Sequence, residues 1–532
     1  MKRMLPFLLT AIMLVTLAAG CAADGAPTST TAAGGTTATG TTTTHASPSG
    51  QDFSDRELII GISECNNNFD SYASYGTDNY GHAQIYDCLM EIDKDGKIVP
   101  CLAESYEISS DGLIYTFKLR KGVKFTNGEE LKASDVAFSA GRAIESPYTG
   151  SDWAPVDHAE VVDDYTVKLI MKIPSMSFLE TLSGSFATIQ SEKAYKQFGD
   201  QYGLTVEAVV GTGPYILKEW SYGEMCYYEA NPDYFKGEAD IKKVRFKAIT
   251  DPNSAVIALE TGEIDYYFND LPAVSYDSVS KNEKLTILSY AGSGLTYAIM
   301  NTEEGIFSDV RMRQAVAYAI DLNKMLIMGA EGLGQIVHTP GGPDYNANPG
   351  DTQWYELNVE KGKELVRECG MEGSNIVIRT YSTGAYPKLA TALQQDLTNI
   401  GLAAEVVQME RNAFISDVLD KGEYQIGICG FGSSTRDMDV MYPHLHSSTI
   451  GISGNWSRYV NPAMDTLLEK ARGEANFETR VDLYRQAIKL YVEEAVEIPF
   501  YYINANKAFT TDIVTEFCNI NVGKVYNFTW ND

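Results

Sequence analysis

Two segments in the first half of the chain alternate apolar and polar residues with a period of two. They are LIYTFKLRKGVKF at residues 113–125 and YTVKLIMKI at residues 165–173. Such alternation places every second side chain on one face of an extended backbone, so both segments are predicted β-strands. We expect the region before residue 210 to be rich in hairpins.

Two other segments repeat their apolar residues at the spacing of an α-helix. FSDVRMRQAVAYAIDLNKML has Ser308 as its predicted N-cap, and NPAMDTLLEKA has Asn461 as its cap and Pro462 at the first helical position. The apolar residues that share related faces are Val310, Ala315, Val316, Ala319 and Ile320 in the first helix and Met464, Leu467, Leu468 and Ala471 in the second. Each helix is predicted to bury that face.

The stretch IVIRTYSTGAYPKLATALQQDLTNIGLAAEVV combines the two periods. Residues 376–381 and 403–407 are predicted strands, and residues 388–400 a helix that Gly401 ends in a left-handed turn. The buried face of this helix is predicted to be Leu389, Leu393, Leu397 and Ile400. A strand, a helix and a second strand at this spacing form a parallel pair, so the body is predicted to be mixed α/β with at least two lobes.

The N-terminus has the pattern of an export signal. Lys2 and Arg3 precede an apolar run from Leu5 to Ala19, which is shorter than the roughly 20 residues of a membrane span. Cys21 follows Ala-Ala-Gly as the cysteine does in a bacterial lipobox, although Ala18 stands where leucine is usual. We predict that residues 1–20 are a signal peptide and that Cys21 carries a lipid anchor. The alternative is an ordinary signal peptide followed by a chance cysteine.

Composition narrows the choice of partner. Residues 21–55 are rich in Thr, Gly, Ala, Ser and Pro and are predicted to be a flexible tether. The rest of the 532-residue chain is predicted to form two or three packed units. A formal net charge of −29 opposes nucleic acid as a partner and opposes a polybasic membrane contact, so we expect membrane attachment through the lipid anchor only.

Seven cysteines follow Cys21, and an odd number leaves at least one thiol unpaired within the chain. They are Cys65, Cys88, Cys101, Cys226, Cys369, Cys429 and Cys518. Cys88 and Cys101 flank the turn signal DKDGK, so a disulfide across a hairpin is one interpretation. We favour the other, in which all seven are small buried apolar residues.

Six ordered motifs resemble the peptide- and nickel-type solute-binding proteins of ABC importers, the bacterial extracellular solute-binding protein family 5. They are PCLAESYEISSDGLIYTFKLRKGVKFTNGEELKASDVAFS, GTGPYILKEW, NPDYF, ALETGEIDYY, VRMRQAVAYAID and NPAMDTLLEKA, within a resemblance that runs from Glu57 to the C-terminus. The resemblance implies a two-lobed α/β fold of the periplasmic-binding-protein type (type II, cluster C). An extra subdomain is implied on lobe one, with the ligand enclosed between lobes that close about a hinge.

The same resemblance implies a division of the chain. Lobe one is expected to comprise residues 56–86, 211–301 and 499–532, with residues 87–210 as its subdomain. Lobe two is expected at residues 302–498, so that the crossovers lie near Asn301 and Pro499.

Family ligand contacts come from three segments. The first is an extended piece that pairs its backbone with a peptide, and it matches Tyr75, Gly76, Thr77 and Asp78; the alternative is a plain surface loop. In the second, Tyr148 and Trp153 are candidates to cover the cleft, with packing as the alternative. The third is FGSSTRDM, which places Phe431, Gly432, Ser434 and Asp437 at the ligand.

The third segment departs from the family pattern Trp-x-x-Asp-Tyr-x-Asp-Pro. Phe431 stands for the Trp, Asp437 for the later Asp and Met438 for the Pro, while Ser434 replaces the Asp that meets a peptide's ammonium group. A serine cannot neutralise a buried cation, so capture of a free N-terminus by the usual route is not expected. Asp437 or Asp439 from a shifted loop is one alternative, and a ligand without an ammonium group there is another.

No other motif points to enzyme chemistry. His444 and His446 near Asp437 and Asp439 suggest a metal cluster as an alternative to ordinary hydrogen-bonded histidines, and the sequence has no HExxH, GxSxG or Walker pattern. We therefore predict no catalytic residues, no metal and no cofactor.

The predicted function is that of a monomeric, lipid-anchored, extracytoplasmic receptor. It captures peptides and hands them to an ABC permease in the membrane. The alternatives are an oligosaccharide, an opine-like compound or a nickel chelate as ligand, a secreted hydrolase, and a peptide sensor that does not transport.

Overall fold

The computed structural model describes residues 55–73, 80–94, 96–150, 152–433, 435–451, 454–515 and 523–531. The predicted signal peptide, Cys21 and all of the predicted tether except Asp55 lie outside these ranges. Within them, no helix has the length and apolar character that a membrane crossing requires.

The strands are β1 (Glu57–Ile62), β2 (Met90–Ile92), β3 (Ile98–Pro100), β4 (Ala103–Ile108), β5 (Ile114–Leu119), β6 (Val156–Asp163), β7 (Thr166–Met171), β8 (Tyr215–Ser221), β9 (Met225–Ala230), β10 (Lys243–Ala248), β11 (Tyr266–Tyr267), β12 (Leu285–Met300), β13 (Gly334–Ile336), β14 (Asn375–Tyr381), β15 (Ala403–Met409), β16 (Ile426–Gly432), β17 (Glu497–Thr510), β18 (Ile513–Val514) and β19 (Thr529–Trp530). The helices are α1 (Tyr80–Ile85), α2 (Ala133–Glu145), α3 (Phe178–Thr181), α4 (Glu192–Phe198), α5 (Pro252–Thr261), α6 (Ala273–Ser280), α7 (Val310–Ala319), α8 (Leu322–Ala330), α9 (Val359–Glu368), α10 (Tyr386–Asn399), α11 (Arg411–Phe414), α12 (Met441–Leu445), α13 (Pro462–Gly473) and α14 (Phe477–Glu494).

The largest sheet has the strand order β15-β14-β16-β12-β17-β11-β1-β10-β9-β8, with β13 added on β17. We call the part built on β1 and β8–β11 the first lobe. The part built on β14–β16 and the helices that surround them is the second lobe. A separate antiparallel sheet, β4-β5-β7-β6, packs with α2, α3 and α4 around its own core, and we call it the subdomain.

The predicted strand–helix–strand unit is confirmed. β14 and β15 are parallel, with Ile376 beside Ala404, and α10 connects them. The four residues predicted for the helix face are buried, and Gly401 has a φ of 91°, the left-handed conformation expected where the helix ends.

Both predicted strands of the subdomain are confirmed as β5 and β7, which pair with each other. The first is shorter than predicted, because the chain turns after Leu119 and Gly122 takes a φ of 78°. The apolar–polar alternation does not reveal this turn, because the residues after it continue to alternate with a period of two.

Of the two predicted helix caps, Asn461 is confirmed and Ser308 is wrong. Asn461 accepts a hydrogen bond from the backbone of Ala463. The Ser308 hydroxyl instead donates to the Gly305 carbonyl in a preceding turn, and Asp309 caps α7 by accepting from the Arg311 nitrogen.

Two long strands pass from one lobe to the other side by side. The first half of β12 pairs with β17 from Leu285 to Ala291, and pairing resumes at Leu295 opposite Tyr502. The register shift between them includes Gly292, where a Cβ would lie 2.3 Å from the Ile503 carbonyl oxygen. Beyond the shift, β12 also pairs with β16 of the second lobe. The predicted bounds of the lobes remain a prediction.

Candidate functional site

The end of β16 and the residues that follow it, 431–433 and 435–439, lie beside the register shift of β12. The Ser433 nitrogen donates to the Ser293 carbonyl at 3.2 Å, and the Arg436 guanidinium donates to the Ala291 carbonyl. The segment that carries the departure from the family pattern is therefore held where the chain passes between the lobes. Ser434 itself lies outside the described residues, so its role stays a prediction.

Asp437 is committed to the interior of the second lobe. It is 1% exposed, and Arg480 of α14 donates to both of its carboxylate oxygens, at 2.7 and 2.5 Å. The Asn346 amide adds a third hydrogen bond at 3.0 Å. Because its charge is already neutralised, Asp437 in this arrangement is a structural anchor of the segment.

Asp439 is committed in the same way. Arg472 of α13 donates to it through Nε and Nη2, with distances of 3.0 to 3.1 Å. The Ser177 hydroxyl, which belongs to the subdomain, donates to the same carboxylate at 3.1 Å. A substitute for the missing acid at position 434 needs a carboxylate that has no cationic partner within the protein. Asp437 and Asp439 each pair with an arginine, so neither meets this requirement.

The subdomain meets the second lobe along a narrow polar contact, which we call the seam. On the subdomain side it consists of Met176, Ser177 and Glu180, and on the second-lobe side of Arg436, Asp439 and Arg472. The Met176 nitrogen donates to the Arg472 carbonyl at 3.0 Å, and the Arg436 nitrogen donates to Glu180 Oε1 at 2.6 Å.

Glu180 has an unusual environment at this seam. The residue is 5% exposed, and no described lysine or arginine forms an ion pair with it. Burial raises the pKa of Glu180 to about 7, and the nearby carboxylates of Asp437 and Asp344 act in the same direction. Nothing in the local segment SFLET marks this residue as part of a site, because its partner Arg436 is 256 positions away in the sequence.

Phe431 and Gly432, at the C-terminal end of β16, line a cavity of about 290 Å³. Its other walls include Thr296, Tyr381, Tyr386 and Arg411. The Phe431 ring packs edge-on against His444, with 4.4 Å between ring centroids. This cavity offers apolar rings with a cationic group, a combination that suits a side chain or small group of a ligand.

Of the two predicted aromatic cover residues, Trp153 lies in the core of the subdomain. It is 2% exposed, its Nε1 donates to the Phe186 carbonyl at 2.9 Å, and its ring meets Phe178 edge-on. This is the position of a packing residue, as the alternative interpretation stated. Tyr148 is half-buried, and its backbone N–H donates a hydrogen bond to the Ser146 hydroxyl oxygen.

The predicted peptide-pairing residues Tyr75, Gly76, Thr77 and Asp78 lie outside the described residues. The chain that leads to them is firmly held. Asp70 accepts from Arg142 of the subdomain at 2.9 and 2.7 Å, and Gln190 donates to it at 3.2 Å. The motif NFD thus ends in a buried ion pair between the first lobe and its subdomain.

The histidines near this segment have ordinary partners. His444 is buried and its Nδ1 lies 2.9 Å from Glu497 Oε1, while His446 contacts Ser448 and Glu469. Across the described ranges, no group of three His, Cys, Asp or Glu side chains is arranged to hold a metal ion. The metal-cluster alternative also loses its two aspartates to Arg480 and Arg472.

None of the six described cysteines after Cys21 takes part in a disulfide, so Cys88 and Cys101 are not bridged in this structure. Five of the six are buried and Cys369 is half-buried. Cys518 lies outside the described residues.

A larger cavity of about 490 Å³ lies in the first lobe and its subdomain, and it presents two lysines. Lys524 pairs with the buried Asp87 at 2.7 Å, and Lys236 pairs with Glu91 at 2.5 Å. The charges of these two lysines are therefore compensated within the protein, in contrast to the carboxylate of Glu180.

A family model described as bacterial extracellular solute-binding proteins, family 5 Middle, matches residues 97–452. Heme-binding protein A of Haemophilus influenzae is 30% identical over 452 residues, which are 79% of this chain and 82% of that protein. Di/tripeptide-binding protein 2 of Pseudomonas aeruginosa is 26% identical over 435 residues, covering 76% of this chain and 80% of that one.

Solved structures agree with the fold. HbpA2 from Haemophilus parasuis has a TM-score of 0.81 and 27% identity, covering 89% of this chain and 99% of that chain. The ABC transporter-associated periplasmic binding protein DppA from Helicobacter pylori, in complex with the peptide STSA, has a TM-score of 0.71 and 25% identity, covering 89% and 98%. The predicted family and two-lobed α/β fold are confirmed.

Proposed function

The chain belongs to the bacterial extracellular solute-binding proteins of family 5, and on this premise we propose that it binds peptides between its two lobes and delivers them to an ABC permease. The observation that carries the proposal is the placement of residues 431–433 and 435–439. They lie between the break in β12 and the seam with the subdomain, so a ligand there touches both lobes at once. Contacts made only in the closed form are those that stabilise it on binding.

Peptide is the ligand class that we propose. Relatives along most of the chain bear the names of di- and tripeptide-binding proteins, and one related structure holds the peptide STSA. Pairing between β12 and β17 is interrupted between Ala291 and Leu295. We propose that a ligand with its own peptide groups binds beside this interruption, because an extended peptide can pair with strand backbone as an added strand does.

Heme is the second candidate, because heme-binding protein A is 30% identical to this chain. A planar, anionic and iron-containing ligand calls for aromatic walls and cationic groups. The cavity beside Phe431, with Tyr381, Tyr386 and Arg411, has that composition but measures only about 290 Å³. A cavity of this size is at the lower limit for a drug-sized ligand and favours a smaller group.

The proposed cellular arrangement follows the N-terminal pattern. Residues 1–20 are removed as a signal peptide, Cys21 receives the lipid anchor, and the remainder is a monomer on the outer side of the cell membrane. The protein binds its ligand without converting it.

Native mass spectrometry of the full-length protein purified from its own cells tests the ligand class. A heterogeneous set of bound peptides supports the proposal. A single mass that matches heme or another non-peptide compound contradicts it, as does the absence of any thermal shift across a peptide library. Recovery of chemically altered peptides contradicts the non-enzymatic role.

A further inference from the structure

The acidic residues near the seam differ in how their charges are compensated. Asp437 pairs with Arg480, Asp439 with Arg472, and Asp344 with Arg436 Nη1 at 2.5 Å. Glu180 is buried, as Asp437 is, and has only the neutral backbone N–H of Arg436 as a partner among the described residues. It is therefore the uncompensated carboxylate of this group.

The ionised form of a carboxylate that is only 5% exposed is high in free energy when no cation faces it. Burial removes its hydrating water, and a single N–H group replaces only part of that hydration. The guanidinium of Arg436 is already shared between Asp344 and the Ala291 carbonyl. A cationic group that enters the seam supplies the missing charge, and the low effective dielectric there strengthens the contact.

We propose that Glu180 is the residue that binds the ligand's ammonium group, in place of the acid that position 434 lacks. This rests on the proposed peptide function. Glu180 reaches the segment from the subdomain side, and its Oε1 lies 2.6 Å from the nitrogen of Arg436, two positions after Ser434. The negative charge that the family pattern places in the second lobe, at position 434, is thus supplied here by the subdomain.

This assignment gives the ammonium group a role in closing the lobes. The carboxylate comes from the subdomain and the surrounding backbone from the second lobe, so a cation bound to Glu180 contacts both. A ligand without a cationic group leaves the carboxylate buried and unpaired when the seam forms. Glu180 therefore selects for peptides with a free N-terminus.

The test compares a tetrapeptide library with its N-acetylated counterpart, each titrated against the full-length protein, Glu180→Gln and Asp135→Asn. The glutamine keeps the shape and accepts the bond from Arg436. Asp135 is the matched control, a subdomain acid that is also buried and whose partners are the backbone nitrogens of Lys132 and Glu192. Circular dichroism of each variant verifies that it is folded.

We expect Glu180→Gln to weaken binding of the free-amine library about 10- to 100-fold, the range for a hydrogen bond to a charged group, and to leave the acetylated library unchanged. Asp135→Asn should change neither. If the variant binds free-amine peptides as tightly as the wild type, or weakens both libraries equally, the role of Glu180 is overturned while the peptide function stands. If the wild type binds neither library, it is the peptide function that fails.

Discussion

Arg480 donates to both carboxylate oxygens of Asp437, at 2.7 and 2.5 Å, inside the second lobe. The pair joins α14 to the segment that follows β16, and both side chains are almost fully buried. The family pattern places Asp437 at the ligand, but in this structure Asp437 anchors the segment to α14. Its neighbour across the seam, Glu180, has no such partner.

Breaking this buried pair should destabilise the protein strongly. Arg480→Met leaves Asp437 charged and unpaired, and we expect the free energy of unfolding to fall by about 3 to 5 kcal/mol. Chemical denaturation measures the loss. Arg485→Met is the control on the same helix, because its partners Asp351 and Asp482 are exposed, and it should cost less than about 1 kcal/mol. Equal losses from the two variants would contradict the structural role of the pair.

Ligand binding should depend on pH near neutrality. The pKa of Glu180 is raised to about 7 by burial and by Asp437 and Asp344, against the opposing charge of Arg436. The carboxylate must ionise to bind a cation, so affinity for free-amine peptides should rise with pH up to about 7 and be roughly 20-fold weaker at pH 5.5 than at pH 7.5. Above about pH 8 the ligand's own ammonium loses its proton and affinity falls again.

Calorimetry at a series of pH values measures this profile. The acetylated peptides and Glu180→Gln serve as controls, and both should lack the rise between pH 5.5 and 7.5. A wild-type affinity that is constant over that interval would count against an ionising carboxylate at the ligand.

The stability of the unliganded protein should show the opposite trend. Because the folded-state pKa of Glu180 lies above its unfolded value, this group destabilises the protein as pH rises from about 4.5 to 7, and the loss persists at higher pH. Glu180→Gln should therefore raise the free energy of unfolding by about 2 to 3 kcal/mol at pH 8 and leave it unchanged at pH 4.5. Denaturant titrations at the two pH values suffice. A variant less stable than the wild type at pH 8 would show that the carboxylate has a partner that stabilises it.

Restoring the family acid should strengthen peptide binding. Ser434→Asp places a carboxylate at the position that meets an ammonium group in peptide-binding members, and we expect about a 10-fold gain for free-amine peptides and none for acetylated ones. Isothermal calorimetry distinguishes the two. Unchanged affinity for both would mean that residue 434 does not occupy the position of the family aspartate.

Removal of the predicted lipid site should release the protein. Cys21→Ser prevents thioether formation, so the protein should move from the membrane fraction to the surrounding medium or periplasm. Fractionation with immunodetection measures the distribution, and an unchanged unfolding midpoint confirms that the body is intact. A wild-type protein that is already absent from the membrane fraction, with the same distribution for the variant, would favour the alternative of a chance cysteine.

Local patterns predicted the elements well and their junctions less well. The β14–α10–β15 unit is visible in the sequence because its apolar periods and Gly401 act over short distances. The sequence does not distinguish the cap of α7, because Ser308 and Asp309 are both good caps. Only the turn from Gly305, which engages the Ser308 hydroxyl, leaves Asp309 as the cap.

The site was harder to predict because charge compensation depends on distant residues. The family pattern located Asp437 but could not show that Arg480, 43 positions later, neutralises it. Tryptophan is a residue type that could cover a cleft, but Trp153 lies in the core. Only its contact with Phe178 in the folded protein reveals this position. Glu180 was missed because its significance comes from the partner it lacks.

The paired strands β12 and β17 have a mechanical consequence. Hydrogen bonds join the two strands on both sides of the break at residues 292–294. The lobes are therefore connected by a paired, two-stranded segment of sheet and not by two independent linkers. Paired strands of this kind resist sliding of one lobe along the other. A change in the angle between the lobes therefore has to bend β12 and β17 together, and the interruption of their pairing is the place where the fewest hydrogen bonds oppose it.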